Sequence, residues 1–110
     1  MKKKYRIKKK DEFTSIIKHK KYYHCPGIVL YVEAKKENQP RVGITVKNKI
    51  GNAVVRNKVK RQIRMMVSEI YNFEEDFDSI LLIKEDFLEN SYKNNKNNLE
   101  RLYKQVTIKK

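Results

Sequence analysis

The 110-residue sequence has little of what secreted and membrane proteins require. Its only cysteine is Cys25, so the chain can form no internal disulfide, which fits a reducing compartment. No apolar run approaches the ~20 residues of a membrane-spanning helix, and the lysine-rich N-terminus lacks the apolar segment of a signal peptide. We therefore expect one cytoplasmic domain, covering residues 1–110, that does not associate with membranes.

The sequence also lacks the residue sets on which most enzymes depend. It shows no Ser/His/Asp-type arrangement, no glycine-rich phosphate-binding loop and no internal repeat. His19, His24 and Cys25 lie close together in the sequence, but their spacing fits no common zinc site and no fourth ligand is evident. We therefore predict no catalytic residue, and the sequence leaves the position of any metal site open.

Acidic residues are scarce, and their scarcity points to a partner. Asp and Glu number 13 against 27 Lys and Arg, which gives a net charge of +14. No acid occurs between Glu37 and Glu69. So large a charge on a small surface indicates a polyanionic partner, and nucleic acid fits better than an acidic membrane.

The acid-free stretch contains the strongest periodic pattern in the chain. Apolar residues recur at helical spacing and predict a helix from Asn52 to Tyr71, with Asn52 as its N-cap; they are Val55, Val59, Ile63, Met66, Val67 and Ile70. A second arc of the same helix is basic and polar, and it consists of Arg56, Asn57, Lys60, Arg61 and Arg64. We call these five residues the basic face.

A basic row opposite an apolar stripe is usually only a solvated surface. Three observations favour a polyanion here. Most of the charges are Arg, whose planar fork suits phosphate. No acid four residues away pairs with them, and Asn57 adds an uncharged donor and acceptor among them.

The remaining patterns predict an α+β fold with the element order αβββαβα, a two-layer sandwich of one small mixed sheet and helices. We expect a first helix capped by Asp11, strands at residues 22–24, 28–35, 41–47 and 80–83, and a last helix at residues 99–106. Residues 36–40 are predicted to join the second and third strands as a hairpin. The acidic run at residues 74–78 and the polar residues 84–98 are expected to be loops, and residues 1–5 and 107–110 to be mobile.

The predicted hairpin would place Tyr31 on the outer face of the sheet with Gly43 and Thr45. An aromatic ring beside small residues leaves room for a flat ligand such as a nucleobase. The alternative is that the first helix covers Tyr31, with Phe13, Ile16 and Ile17 facing the sheet. The sequence leaves both interpretations open.

The segment from Gly51 to Arg64 resembles a known signature. It reads Gly-Asn-Ala-Val-Val-Arg-Asn-Lys-Val-Lys-Arg-Gln-Ile-Arg, and it matches every specified position of G-N-A-V-x-R-N-x-x-K-R-x-x-R, the arginine-rich signature of the protein subunit of bacterial ribonuclease P. Residues 6–13, 28–31 and 41–47 also resemble that family. The resemblance spans roughly residues 5–84, and the last helix agrees in pattern only.

The resemblance implies a fold detail and a function. The fold would contain a left-handed βαβ crossover, against the usual hand. The chain would be the small basic partner of a catalytic RNA subunit that, with bound Mg²⁺, removes the 5′ leader of precursor tRNA. The holoenzyme would be an endoribonuclease, and the protein alone would not be catalytic. The protein would bind the RNA subunit and the leader and favour binding of Mg²⁺, with no obligate protein partner.

Residue matches to the family imply two binding surfaces. The basic face, Arg56, Asn57, Lys60, Arg61 and Arg64, would contact the RNA subunit. The leader would lie between the first helix and the sheet, against Phe13, Ile17, Tyr31 and Lys47. The chain departs from the family at Ile17, where a second aromatic is common, and at residues 20–23, where a glycine is common. Tyr22 or Tyr23 could replace the missing aromatic.

Three other functions stay open at the level of sequence. A general RNA-binding protein, for example of ribosomal type, could use the basic face without any role in cleavage. A DNA-binding regulator would place the helix in a major groove and would be expected to dimerise, although no segment for dimerisation is evident. A protein-only nuclease would need a catalytic set that the sequence does not show.

Overall fold

The computed structural model describes residues 5–7, 9–18, 21–36, 38–72 and 74–108. In chain order the helices and strands are α1 Lys10–Lys18, β1 Tyr22–Cys25, β2 Ile28–Ala34, β3 Val42–Val46, α2 Ala53–Ile70, β4 Phe77–Ile83 and α3 Tyr92–Ile108. Short 3-10 helices lie at Asn48–Ile50 and Glu85–Glu89. The predicted order αβββαβα and the α+β class are confirmed.

The four strands form one mixed sheet in the order β1-β2-β4-β3, so the predicted pairing of β2 with β3 is wrong. β4 lies between them, antiparallel to β2 and parallel to β3. β4 is apolar along most of its length, and a central position buries both of its faces. The parallel pair β3 and β4 is joined through α2, as predicted, and the left hand of this crossover stays a prediction.

A tight turn joins β1 and β2 into a hairpin. Pro26 and Gly27 form its two-residue loop, and Gly27 has a φ of 82°, a conformation that glycine adopts without strain. A Cβ at Gly27 would also lie 2.7 Å from backbone atoms of Phe87, so the turn packs closely against the second 3-10 helix. This turn fixes the register in which Cys25 faces Ile28 and Tyr22 faces Tyr31.

The two faces of the sheet pack against different helices. The inner face contacts α2 and α3 and contains the main core, to which alternate strand residues such as Leu30, Val46 and Leu81 contribute. The outer face is packed against α1, through a smaller cluster in which Ile7, Ile16 and Ile80 are buried. Among the described helices, α1 is the one that packs on the outer face. This is also the face on which the leader residues were predicted.

Several predicted boundaries change. α1 begins at Lys10, so Asp11 lies inside its first turn and is not the cap. β4 begins at Phe77, so Asp78 is a buried strand residue and does not belong to a solvated loop. Arg6 forms an isolated bridge with Val42, which adds a short parallel segment to the free edge of β3.

The last helix begins at Tyr92, inside the segment that was predicted to be a polar loop. Ser91 accepts a hydrogen bond from the Asn94 amide at 3.2 Å, as an N-cap does. Asn95 is buried, and its Nδ2 donates to the Phe87 carbonyl at 2.9 Å. Tertiary contacts therefore outweigh the weak helix propensity of asparagine.

The helix continues to Ile108. Residues 1–4 and 109–110 lie outside the described residues, and the expected mobility of the two ends stays a prediction. In the part of the chain that the structure describes, no helix is long and apolar enough to cross a membrane.

Candidate nucleic-acid interface

Helix α2 begins as its sequence predicts. Asn52 has extended backbone geometry, and its side chain accepts a hydrogen bond from the Val55 amide at 3.1 Å. Val59, Ile63, Met66 and Val67 are buried in the main core. Anchored in this way, α2 keeps one orientation relative to the sheet and turns its basic arc away from the core.

The basic face lies at the protein surface. Asn57 and Arg61 are exposed, and the other three side chains are half-buried. Arg56 donates from Nη1 to the Gly51 carbonyl at 2.8 Å, which fixes its guanidinium beside the start of the helix. Glu69, the one acid within α2, pairs instead with Lys96 of α3. Among the described residues, none of the five side chains forms an ion pair, so their charges are available to a partner.

On the outer face, one row of residues crosses all four strands. Tyr22, Tyr31, Ile80 and Gly43 are paired in register from β1 to β3. The ring of Phe13, from α1, covers the last position: a Cβ at Gly43 would lie 2.7 Å from Phe13 Cζ and 2.6 Å from Ile80 Cδ1. Glycine at position 43 therefore makes room for the aromatic ring of Phe13.

An ion-paired group holds α1 against the sheet. Arg41, just before β3, pairs through Nη2 with Glu12 of α1 and lies 3.4 Å from Asp78 Oδ2 of β4. The backbone amide of Arg41 also donates to Asp78 Oδ1 at 2.9 Å. Arg41 and Asp78 are 7% and 1% exposed, so this group is part of the interior. It fixes the end of α1 from which Phe13 projects.

The structure brings together three of the four residues predicted for the leader. Phe13, Ile17 and Tyr31 are half-buried and pack against the same small cluster. Lys47 is exposed beyond the end of β3, four residues after Gly43, which is roughly 13 Å along an extended chain. Lys47 therefore lies at one end of this surface and not among the other three.

Of the two interpretations of Tyr31, the structure supports partial cover by α1. The space expected above Gly43 does not exist, because Phe13 fills it. α1 packs on β2 and β4, which half-buries Tyr31. On its other side Tyr31 meets Tyr22 of β1, with ring centroids 5.7 Å apart.

The interpretation of the sequence missed the position of Tyr22 and His24 on this outer face. Tyr22 is 53% exposed, and its ring centroid lies 6.2 Å from that of His24. The sequence Pro26-Gly27 could have revealed this position. A two-residue turn there pairs Cys25 with Ile28, and counting outward along both strands pairs Tyr22 with Tyr31. Tyr23 points to the inner face and packs on the main core.

In the described part of the chain, Cys25 and its neighbours show no metal-binding arrangement. Cys25 is half-buried, and burial raises the pKa of its thiol, although the nearby charge of Arg101 opposes the shift. His19 lies outside the described residues. Within the described ranges, no three His, Cys, Asp or Glu side chains are grouped so that they could hold a metal ion.

Comparison with known proteins places the chain in a family. A family model described as Ribonuclease P matches residues 1–107. The chain belongs to the ribonuclease P protein family. The ribonuclease P protein component of Bacillus cereus (strain AH187) is 37% identical over 113 aligned residues, which cover 100% of this chain and 97% of that protein. The component of Bacillus anthracis (strain CDC 684 / NRRL 3495) is also 37% identical, and the alignment covers 94% of it.

Solved structures of the ribonuclease P protein family share the fold. The RNase P protein of Staphylococcus aureus superposes with a TM-score of 0.83 at 32% identity, covering 93% of this chain and 94% of that one. The protein from Thermotoga maritima superposes with a TM-score of 0.77 at 25% identity, covering 91% and 96% of the two chains. The mixed four-stranded sheet with three helices is therefore the fold of this family.

Proposed function

We propose that this chain is the protein subunit of a ribonuclease P, which binds a catalytic RNA subunit and helps it to remove the 5′ leader of precursor tRNA in the cytoplasm. The observation that supports this most strongly is the basic face of α2. Its cations are unpaired among the described residues and lie on a helix fixed to the core. Family membership gives the identity of the polyanion that such a face would bind.

Docking on the RNA subunit would depend mainly on phosphate contacts. Each phosphate neutralised by Arg or Lys releases condensed counterions, so affinity falls steeply as salt concentration rises. Arg56, Arg61 and Arg64 offer forked donors that match phosphate oxygens, and Asn57 offers a donor and an acceptor for a base edge or a 2′-hydroxyl. The protein supplies position and charge, and no residue of this chain is assigned to cleavage.

The outer face suits an unpaired RNA strand. Tyr31 and Phe13 are aromatic, Ile17 supplies an apolar wall, and Lys47 supplies a cation at one end. Stacking on aromatic rings accepts any base, at about 1–3 kcal/mol per base. Such tolerance fits a protein that handles many precursor tRNAs with different leaders.

Mg²⁺ would supply the charge stabilisation and the activated water for phosphodiester hydrolysis. The described residues contain no cluster of three acidic or histidine side chains that fits the ion. We therefore assign no Mg²⁺ ligand to this chain and propose that the RNA subunit holds the metal. The protein would favour Mg²⁺ binding by holding the leader and the RNA subunit together.

The decisive experiment measures cleavage of precursor tRNA by the RNA subunit at low Mg²⁺, with and without the protein. We expect the protein to increase kcat/KM and to lower the Mg²⁺ concentration needed for half-maximal activity. If the protein binds the RNA but changes neither quantity, it is a general RNA-binding protein. If the purified protein cleaves precursor tRNA without the RNA subunit, the assignment of catalysis to the RNA is wrong.

Arg61→Ala tests the basic face. Because Arg61 is exposed, the change should leave the fold intact and weaken binding of the RNA subunit, with the slope of log affinity against log salt reduced by roughly one. Arg101→Ala is the matched control, since Arg101 is an exposed arginine on α3, outside the basic face, whose guanidinium donates to Asn98 of the same helix. Equal salt slopes for both variants and the unchanged protein would refute the assignment of the face.

Phe13→Ala and Tyr31→Ala test the leader surface. Both changes should lower the affinity of the holoenzyme for precursor tRNA and leave its affinity for mature tRNA nearly unchanged. A DNA-binding regulator would instead prefer duplex DNA to either RNA. A loss of affinity that is the same for precursor and mature tRNA would show that the outer face does not contact the leader.

A further inference from the structure

Strand β1 presents two aromatic side chains on the outer face that the core does not use. Tyr22 is 53% exposed, whereas Tyr23, on the opposite side of the same strand, packs on the main core. His24 is also exposed, and its ring lies 6.2 Å from that of Tyr22. The hydrophobic effect explains the position of Tyr23 but gives no reason for an aromatic at position 22.

Tyr22 lies at the β1 end of the row that crosses the sheet, and Phe13 covers the other end at Gly43. Tyr22 and Tyr31 are register partners on neighbouring strands, with ring centroids 5.7 Å apart and planes at 47°. α1 packs mainly on β2 and β4, and α3 packs on β1 from the inner side. Among the described residues, the outer side of β1 is therefore exposed at Tyr22 and His24, beside the point where α1 begins to cover Tyr31.

We propose that Tyr22 and His24 form a second stacking position for single-stranded RNA, adjacent to the one at Tyr31. The position takes the base of an unpaired nucleotide in the leader, at the edge of the sheet that α1 leaves open. Exposed Lys21 lies immediately before Tyr22 and is near enough along the chain to meet the phosphate of that nucleotide. This inference rests on the proposed function, because it extends the leader surface by one strand.

The chemistry favours RNA over the other occupants of an aromatic patch. A stable protein interface buries about 800 Å² on each partner, whereas Tyr22, His24 and Lys21 form a narrow aromatic strip beside a cation. Bases stack on Tyr and His rings without hydrogen-bond readout, so the position has little sequence preference. Tyr22 would thus lengthen the bound leader without restricting which precursors are processed.

The test uses the holoenzyme and a set of precursor tRNAs whose leaders are lengthened one nucleotide at a time. With the unchanged protein, affinity should rise as the leader reaches Tyr31 and rise again as it reaches Tyr22. Tyr22→Ala should abolish the second rise, a loss of about fivefold or more for long leaders only. Tyr22→Phe keeps the ring and should retain the affinity, and His24→Ala should produce a smaller loss with the same dependence on length.

Leu88→Ala is the control for general surface effects, since Leu88 is 51% exposed and lies on the second 3-10 helix, outside this row. A second measurement uses the unchanged protein and places the fluorescent base 2-aminopurine at successive leader positions. Stacking on Tyr22 should quench one position, and Tyr22→Ala should restore its fluorescence while leaving the position at Tyr31 quenched.

The outcomes separate this inference from the proposed function. If Tyr22→Ala matches the unchanged protein at every leader length while Tyr31→Ala loses affinity, the second stacking position does not exist and the leader surface stands. If neither variant affects long or short leaders, the whole outer face is excluded as a leader site. If Tyr22→Ala weakens binding equally for all lengths, its effect is not stacking on an added base.

Discussion

At the scale of single residues, the position of Phe13 depends on a missing side chain. Gly43 has no Cβ, and one built there would overlap both Phe13 and Ile80. We predict that Gly43→Ala lowers the free energy of unfolding by about 1–3 kcal/mol, because adding a methyl group to a filled space strains its neighbours. Urea unfolding measures the loss.

Removing the ring of Phe13 provides the control for Gly43→Ala. In a Phe13→Ala background the same methyl group no longer meets the ring of Phe13, so its cost should fall. A double-mutant cycle should give a coupling energy of about 0.5 kcal/mol or more. Additive effects of the two changes would mean that Phe13 does not lie over position 43.

The single residue Tyr71 makes the free energy of unfolding depend on pH. Its hydroxyl is shielded from water, and burial raises the pKa of Tyr71 above the ordinary value of 10.0, while the neighbouring Ser79 side chain opposes the shift. Above that ordinary value the unfolded chain loses a proton that the folded chain keeps, so stability falls as the pH rises. At pH values below 10.0, Tyr71 keeps its proton in both the folded and the unfolded chain, so its contribution to the free energy of unfolding is fully present.

We therefore predict that the free energy of unfolding of the unchanged protein falls relative to that of Tyr71→Phe on going from about pH 9 to about pH 11. Urea unfolding at the two pH values measures it, and the lysines and other tyrosines affect both proteins alike. A constant difference would show that Tyr71 titrates equally in the folded and unfolded chains.

At the scale of elements, α2 depends on its first residue. Asn52→Ala removes the acceptor for the Val55 amide, and we predict a loss of about 1 kcal/mol in the free energy of unfolding. Asn52→Asp keeps an acceptor at the positive end of the helix and should be near neutral. Equal losses for Asn52→Ala and Asn52→Asp would indicate that the cap does not stabilise the helix.

Breaking the ion-paired group that attaches α1 to the sheet should destabilise the protein more than removing the Asn52 cap. Asp78→Ala removes one of the carboxylates that pair with Arg41 in a nearly dry environment. We predict a loss of about 3–5 kcal/mol in urea unfolding, the usual effect of breaking a buried ion pair. Glu74→Ala, four residues earlier and exposed, should change stability by no more than about 0.5 kcal/mol.

Elements defined by their own periodicity were predictable from the sequence, and those defined by distant contacts were not. α2 has an apolar stripe, a cap and a basic arc within one segment, so its bounds and exposed face could be read directly. The apolar run of β4 is typical of a strand buried on both faces, but its place between β2 and β3 depends on long-range pairing that no local pattern records. Asp78 looked like part of an acidic loop because Arg41, its partner, is 37 residues away.

At the scale of the whole molecule, the net charge of +14 opposes folding. Like charges repel most strongly when they are brought onto a small surface, and salt screens this repulsion. Raising NaCl from about 0.01 M to about 0.15 M shortens the screening length from ~30 Å to ~8 Å. We predict that the melting temperature rises over this range, as differential scanning fluorimetry can measure, and an unchanged or lower melting temperature would show that internal ion pairs outweigh the repulsion.

The insertion of β4 between β2 and β3 has a consequence for synthesis on the ribosome. A growing polypeptide contains α1, the β1–β2 hairpin, β3 and the whole of α2 before β4 has been made. Until then, β2 and β3 have no strand between them, and the apolar side of α2 has no finished surface to pack against. Closure of the sheet is thus a late event in translation, and the arginines of α2 leave the exit tunnel while the domain is still open.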